Sequence, residues 1–235
     1  MTSFVFYLEG NMVEEFKRPL SLFEVTMEGI RNSIINGDLS LGQQITESYL
    51  QKSFGFSKTP IREALGRLVA EGLVESEVHK GFKVFEMDEK ELSDFCELRL
   101  ALESQALKAA YQNNRVALIQ GLKLFIKDLA KCIKNNDFLK YRLIDCEFHK
   151  CFFILSSNRF LTKHYENIIS LIQTIQTHSI RGLISQNKLK DSNKGHISIC
   201  RHIEDKNLTL ALSELEKHIN SWFNDTIMKT EIIDR

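Results

Sequence analysis

The 235-residue chain holds only two prolines, Pro19 and Pro60. A domain built of strands and tight turns normally needs more such breakers, whereas long stretches here repeat apolar residues with a period near 3.6. The spacing predicts a mainly helical protein. Glycine and proline also cluster in one place, from Gly55 to Gly72, reading GFSKTPIREALGRLVAEG.

That stretch reads as a helix with a marked start and stop. Gly55 permits a tight turn, Ser57 suits the cap, Pro60 falls in the first turn and Gly72 ends the helix. Ile61, Ala64, Leu65, Leu68 and Val69 form the buried stripe. The opposite arc carries Thr59, Arg62, Gly66 and Arg67, with Lys58 beside it at the helix start. From Lys52 to Arg67 there are four cations (Lys52, Lys58, Arg62, Arg67) against one anion, Glu63, a net of +3. A short helix with hydroxyls at its N-terminus and cations on its free face suits a phosphate backbone and a major groove. An ordinary amphipathic helix with a solvated basic face has the same pattern.

The flanking residues supply context. Residues 21–36 are expected as a first helix, with Leu22, Val25, Ile30 and Ile34 on or near its apolar side. Thr46 caps a short second helix to Ser53, with Tyr49 and Leu50 facing inward. After the third helix, residues 74–85 alternate as a two-stranded hairpin with its tip near His79–Gly81. Lys80 and Lys83 give this wing cations. Three helices followed by a hairpin make a winged helix-turn-helix over residues 19–86, preceded by a tail over 1–18.

No strand signal follows residue 86. Helices are expected over 88–111, 115–134, 137–156, 159–184, 193–205 and 207–229, with 185–192 a polar connector. These form a second unit, residues 87–235, an all-α bundle of about six helices.

Whole-chain charge argues against a generally basic nucleic-acid binder. The net charge is zero, and residues 1–86 carry nine Lys/Arg against twelve Asp/Glu, a net of −3. Any DNA contact must come from a local patch. No apolar run approaches the roughly 18 residues a spanning helix needs. The N-terminal segment lacks a basic n-region, so no signal peptide is expected, and Met12 is an alternative start. The five cysteines have no CxxC spacing. They read as reduced and mostly buried, which fits a cytoplasmic protein without membrane attachment.

The bundle carries an unusual histidine pattern. Asp145 and His149 stand at i, i+4 on one helix, flanked by Phe148 and Phe152. His196 lies on a stripe with Ile199, Cys200 and Ile203. His218 continues the stripe Leu208, Ala211, Leu215 and Trp222. A buried imidazole or carboxylate needs a partner. A lone inward histidine is usually a satisfied core residue, and Asp145 with His149 alone makes a simple hydrogen-bonded pair. Four such groups converging are better satisfied by a divalent metal; the N/O donor set suits Zn, Ni, Mn or Fe. His79 reads as a wing residue, and His164, His178 and His202 show no comparable pairing. A metalloenzyme with an open coordination position is the rival reading, but no general base is evident beside the ligands.

Together the two halves resemble the GntR superfamily of bacterial transcription regulators, in its FadR-type branch with an FCD effector domain. The first half is similar through GDLSLG (37–42), SKTPIREALGRL (57–68), EGLV (71–74) and KGFKV (80–84). The second is similar through ELRLALE (97–103), DCEFH (145–149), SNRFL (157–161), His196 and His218.

The resemblance implies that Ser57, Lys58, Thr59, Arg62 and Arg67 hold DNA, with Gly81 at the wing tip. It implies that Asp145, His149, His196 and His218 are metal ligands, and that Arg99 pairs with the carboxylate of a small effector. For Arg99 the alternative is an ion pair with an acidic neighbour. It further implies a homodimer, a repressor or an activator, on a pseudo-palindromic double-stranded operator. Three departures stand out. Lys58 replaces the usual arginine of SRTP, Ser48 stands where many members carry arginine, and Leu41 replaces the usual proline. A regulator responding to an acyl-CoA without metal is a further reading, disfavoured by the full Asp/His set.

Overall fold

A computed structural model describes residues 19–78, 81–181 and 186–233; side chains are described except over 179–181 and 225–233. The expected tail over 1–18, the alternative start at Met12 and the wing-tip residues His79 and Lys80 lie outside the described residues.

Among the described residues the first element is α1 (Leu22–Ile35), started by a capping box. Glu24 N donates to Ser21 Oγ at 3.2 Å, and Ser21 N donates to the Glu24 carboxylate at 2.7 Å. These two bonds satisfy backbone donors that a helix start leaves unpaired. Ile30 and Ile34 are fully buried, but Leu22 and Val25, expected on the apolar side, are exposed. They sit in the first turn, before the helix reaches the core. Strand β1 (Gln44–Ile45) follows, then α2 (Glu47–Phe54) and α3 (Lys58–Ala70). Thr46 Oγ1 caps α2 by accepting from Tyr49 N at 3.1 Å. Leu50 is buried as expected; Tyr49, expected inward, is 46% exposed.

Strands β2 (Val74–Glu77) and β3 (Gly81–Val84) form the wing. They pair antiparallel, Val74 opposite Val84 and Glu77 opposite Gly81. β1 adds to the other edge of β3, Gln44 opposite Lys83 and Ile45 opposite Phe82, giving the order β1-β3-β2. The hairpin is therefore the larger part of a three-stranded sheet. β1 escapes sequence reading because two residues show no alternation.

The second unit begins with a capping box at Asp88 and Glu91 and a long helical run, α4 (Glu89–Asn135). The two helices expected over 88–111 and 115–134 are thus joined, with a break at Asn114 (φ −144°, ψ 40°). The Asn114 side-chain amide donates to the Leu155 carbonyl at 2.9 Å, and that of Asn113 to the Ser156 carbonyl at 2.9 Å. These bonds tie the break to the end of α5 (Phe138–Ser156). Then come α6 (Arg159–Arg181), α7 (Gln186–Glu204) and α8 (Leu208–Ile233). Among the described residues the bundle has five helices rather than six, because the first two are continuous through the break. The expected polar connector is helical from Gln186 onward; its polar first turns hide the period that marks a helix in sequence.

One apolar cluster runs through both units, from Ile30, Leu65 and Leu68 to Leu107, Phe152 and Ile172. α5 packs chiefly on α4, while α1 leans on α6. Arg142 of α5 is 3% exposed and joins the same contact zone. Its Nη1 donates to the Ile35 carbonyl at 3.0 Å and the Gln173 carbonyl at 3.2 Å. No helix among the described residues is long and apolar enough to cross a membrane.

Candidate functional site

Two regions of the molecule carry candidate function: the outer face of α3 and a buried cluster inside the bundle.

On α3, Pro60, Ile61, Ala64, Leu65 and Leu68 are buried, while Ser57, Lys58, Thr59, Arg62, Gly66 and Arg67 are all exposed. The helix therefore turns its apolar stripe inward and its cations outward, as the spacing requires. Ser57 occupies the N-cap position with extended backbone (φ −72°, ψ 169°), yet its hydroxyl makes no cap hydrogen bond. That departs from the expected cap. The exposed cations are engaged with carboxylates. Arg62 Nε lies 2.9 Å from Glu47 Oε1, and Lys58 Nζ lies 3.3 Å from Glu47 Oε2. Arg67 Nε lies 3.1 Å from Glu71 Oε1, and Glu71 also takes Arg31 at 2.6 Å. Acidic residues thus sit beside the cations they offset, which reconciles the net negative charge of residues 1–86 with a locally basic face. Gly81 opens β3 with φ +95°, and a Cβ there would meet the Ile45 carbonyl at 3.3 Å. A residue with a side chain would be strained at this point of the wing.

In the bundle, Asp145 and His149 project from α5, His196 from α7 and His218 from α8. One donor atom from each lies within 4.8 Å of the others. Asp145, His149 and His196 are buried and His218 is partly so. Asp145 does not bond His149; its Oδ1 lies 3.2 Å from His196 Nε2, while its Oδ2 accepts from Gln176 Nε2 at 2.8 Å. His149 Nε2 lies 3.3 Å from His218 Nε2. Phe148 stands 4.3 Å from the His196 ring, centroid to centroid.

Gly195 makes this approach of α7 and α8 possible: a Cβ there would lie 2.9 Å from His218 Nδ1. Burial pulls the pKa of His196 and His218 down, which keeps both rings neutral and their lone pairs available. Burial alone would raise the Asp145 carboxyl, but the contact with His196 Nε2 outweighs it and lowers the pKa, so the group is ionised.

Glu103, which the sequence pattern does not single out, completes the arrangement. It is fully buried on α4. One oxygen takes Arg99 Nε at 2.6 Å, and the other lies 2.6 Å from His149 Nδ1. Burial would raise its pKa, but Arg99 and His149 outweigh that and lower it, so Glu103 is an anion. An anionic partner places the His149 proton on Nδ1 and leaves Nε2 as the free lone pair. The i, i+4 spacing of Arg99 and Glu103 was the signal available in ELRLALE. Arg99 is therefore ion-paired, and it also lies over the Trp222 ring at 5.1 Å. A carboxylate does stand beside the candidate ligands, but Arg99 and His149 occupy both of its oxygens.

The cluster fits a divalent ion. Both ring nitrogens of His196 are buried without a hydrogen bond of proper direction, and such groups are costly unless something else engages them. Two bonds of about 2.1 Å span at most about 4.2 Å, so one ion would be shared after small inward shifts. One carboxylate and three imidazoles suit Zn, Ni, Mn or Fe.

Comparison with known proteins accords with both regions. The model for bacterial regulatory proteins of the gntR family matches residues 23–84, and the model for the FCD domain matches residues 94–221. The chain is 30% identical over 185 residues to the Nta operon transcriptional regulator of Aminobacter aminovorans, covering 76% of this chain and 84% of that one. It is 24% identical over 211 residues to the uncharacterized HTH-type transcriptional regulator YdhC of Bacillus subtilis, covering 88% and 93% respectively. Among solved structures, E. coli McbR/YncC superposes with a TM-score of 0.76 at 18% identity, covering 90% of this chain and all of that one. The chain belongs to the GntR family of bacterial transcription regulators, in the branch that joins a DNA-binding winged helix-turn-helix to a helical FCD domain.

Proposed function

We propose that the protein is a ligand-responsive regulator that binds a pseudo-palindromic operator as a homodimer in the cytoplasm. Residues 19–86 form the DNA-binding unit and residues 87–235 the effector and dimerisation unit. Ser57, Lys58, Thr59, Arg62 and Arg67 contact the duplex, with the wing at Gly81 beside them. Two recognition helices related by a two-fold axis would enter successive major grooves.

In the bundle, Asp145, His149, His196 and His218 hold a divalent ion, which when bound supplies a Lewis-acidic centre for an anionic ligand. Arg99 stands one residue from this cluster, through Glu103. It pairs with Glu103 through Nε, and the terminal nitrogens of a guanidinium are suited to a carboxylate. A small carboxylate is therefore the effector class that the site's chemistry favours.

One observation carries the coupling of the two units. α5 bears Asp145 and His149 at the cluster, and one turn earlier it bears Arg142, which bonds the Ile35 carbonyl of the DNA-binding unit. A ligand that shifts α5 shifts the seat of α1. Couplings of this kind typically amount to about 1–3 kcal/mol, or roughly 5- to 150-fold in affinity.

The test is a gel-shift titration on a duplex selected from a random pool, with metal-loaded and chelator-treated protein, across a panel of small carboxylates. Some pairing of metal and acid should change operator affinity at least about fivefold, and Arg62→Ala should abolish specific binding. Unchanged affinity for Arg62→Ala would sink the recognition-helix reading. Indifference to metal and to every acid would sink the effector reading.

A further inference from the structure

Glu47 is the first residue of α2, yet its side chain serves α3. Its two oxygens take Arg62 Nε at 2.9 Å and Arg62 Nη2 at 3.4 Å, and Lys58 Nζ lies 3.3 Å from the second oxygen. The two cations are about equally open, at 65% and 61% exposure, whereas Glu47 is 19% exposed. The carboxylate is the anchor and the cations are the free ends.

Such a clamp has two consequences for a surface that meets DNA. A bare arginine has four rotatable side-chain bonds and will satisfy any phosphate it meets. Held along its Nε–Nη2 edge by a carboxylate, the same guanidinium keeps Nη1 and the second Nη2 hydrogen as one donor pair in one place. That is the geometry a guanine edge requires. The carboxylate also carries a charge that every phosphate repels, and it offsets two of the cations that would otherwise bind backbone indiscriminately.

We infer that Glu47 is a specificity-determining residue of the DNA-binding surface: it positions Arg62 to read a base and withholds Lys58 and Arg62 from indiscriminate phosphate contact. The inference rests on the reading of α3 as the recognition helix. Glu47 itself touches no base in this role. Its bland role, an acidic residue at the positive end of the α2 dipole, would change stability but leave discrimination between duplexes alone.

The experiment compares wild type, Glu47→Gln and Glu47→Asp by fluorescence anisotropy at several salt concentrations. Two duplexes of equal length are used: one selected from a random pool by the wild-type protein, and one of scrambled sequence. For Glu47→Gln, affinity for the scrambled duplex should rise roughly three- to tenfold, the scale of one or two exposed ion pairs. Its salt dependence should steepen by about 0.9 for each further phosphate that a released cation neutralises.

The selected duplex should gain less or lose affinity, so the specificity ratio falls. Glu47→Asp keeps the charge at the helix start but is too short to clamp both cations. It should hold scrambled binding low while losing part of the discrimination, which keeps the test informative if Glu47→Gln melts early. On an Arg62→Ala background, Glu47→Gln should no longer change the ratio.

An unchanged specificity ratio, or scrambled-duplex affinity that stays flat or weakens in Glu47→Gln, overturns the inference. If Arg62→Ala abolishes selective binding while Glu47→Gln leaves the ratio intact, the role of Glu47 fails alone. If Arg62→Ala binds normally, the recognition-helix reading fails with it.

Discussion

Arg142 on α5 donates a hydrogen bond to the carbonyl of Ile35, the last residue of α1, across 3.0 Å. The same nitrogen reaches the Gln173 carbonyl of α6, so one guanidinium ties three helices together across the boundary between the two units. Burial pushes its pKa down, and its bonding partners are carbonyls rather than carboxylates. A cation at the C-terminal end of a helix also meets the negative pole of its dipole.

Replacing Arg142 with methionine keeps most of the volume and removes the donors. The Gln173 carbonyl keeps Thr177 Oγ1 as a donor at 2.7 Å, so the loss falls on the buried Ile35 carbonyl and should cost about 1–3 kcal/mol, seen as a lower melting temperature. Operator binding by the unliganded protein should survive. The change in operator affinity caused by an active effector should shrink toward none. A variant that loses stability but keeps the full effector response would show that the signal travels elsewhere.

Replacing His196 and His218 together with alanine removes half of the candidate ligand set from two different helices. The purified wild type should carry close to one divalent ion per chain by elemental mass spectrometry, and the double variant almost none. Chelation should lower the melting temperature of the wild type, since an ion at 100-fold its Kd stabilises by about 2.7 kcal/mol, and should leave the double variant unmoved. Full metal retention in the variant would refute the site.

Gly195→Ala separates packing from helix propensity. Alanine is favoured over glycine within a helix by about 1 kcal/mol, so α7 alone would gain. The added Cβ, however, would stand 2.9 Å from His218 Nδ1, in a cluster with little room to yield. Metal affinity should fall at least tenfold while helix content by circular dichroism holds or rises. Unaltered affinity would mean that His218 is free to swing aside.

The five cysteines should be nearly inert in the folded protein. All are buried and free, and burial pushes Cys146 and Cys151 up to about 12 and Cys96 and Cys200 up to about 11. The reactive species is the thiolate, so native protein at pH 8 should titrate slowly with a disulfide reagent and denatured protein should show five thiols at once. Rapid labelling of Cys146 or Cys151 in the native state would contradict the packing.

Much of this architecture can be read from residue order. Gly55, Pro60 and Gly72 mark the bounds of α3, and Gly55 and Gly72 both take the positive φ that such boundaries favour. The four cluster residues are recoverable because each sits on an apolar stripe where a polar group needs a reason. What escapes does so for physical causes. Glu103 and Arg142 lie within patterns that read as ordinary helix, and only the fold reveals that they are buried. Asn114 interrupts α4 through hydrogen bonds to α5, a tertiary effect that local spacing cannot encode. Tyr49 and Val25 follow the apolar period but emerge at the surface, because short helices end before their whole stripe finds a partner.

Glu103 grips Arg99 with one oxygen and His149 with the other. An acid that draws Arg99 toward itself changes the charge that Glu103 offers His149, and so the electron density His149 offers an ion. Under the proposed function, metal and effector would then not be independent tenants of the bundle. Whatever factor the acid applies to the ion's Kd, the ion must apply to the acid's, because the two routes around the cycle share their end points. A calorimetric titration of either one, with and without the other, measures the same number twice.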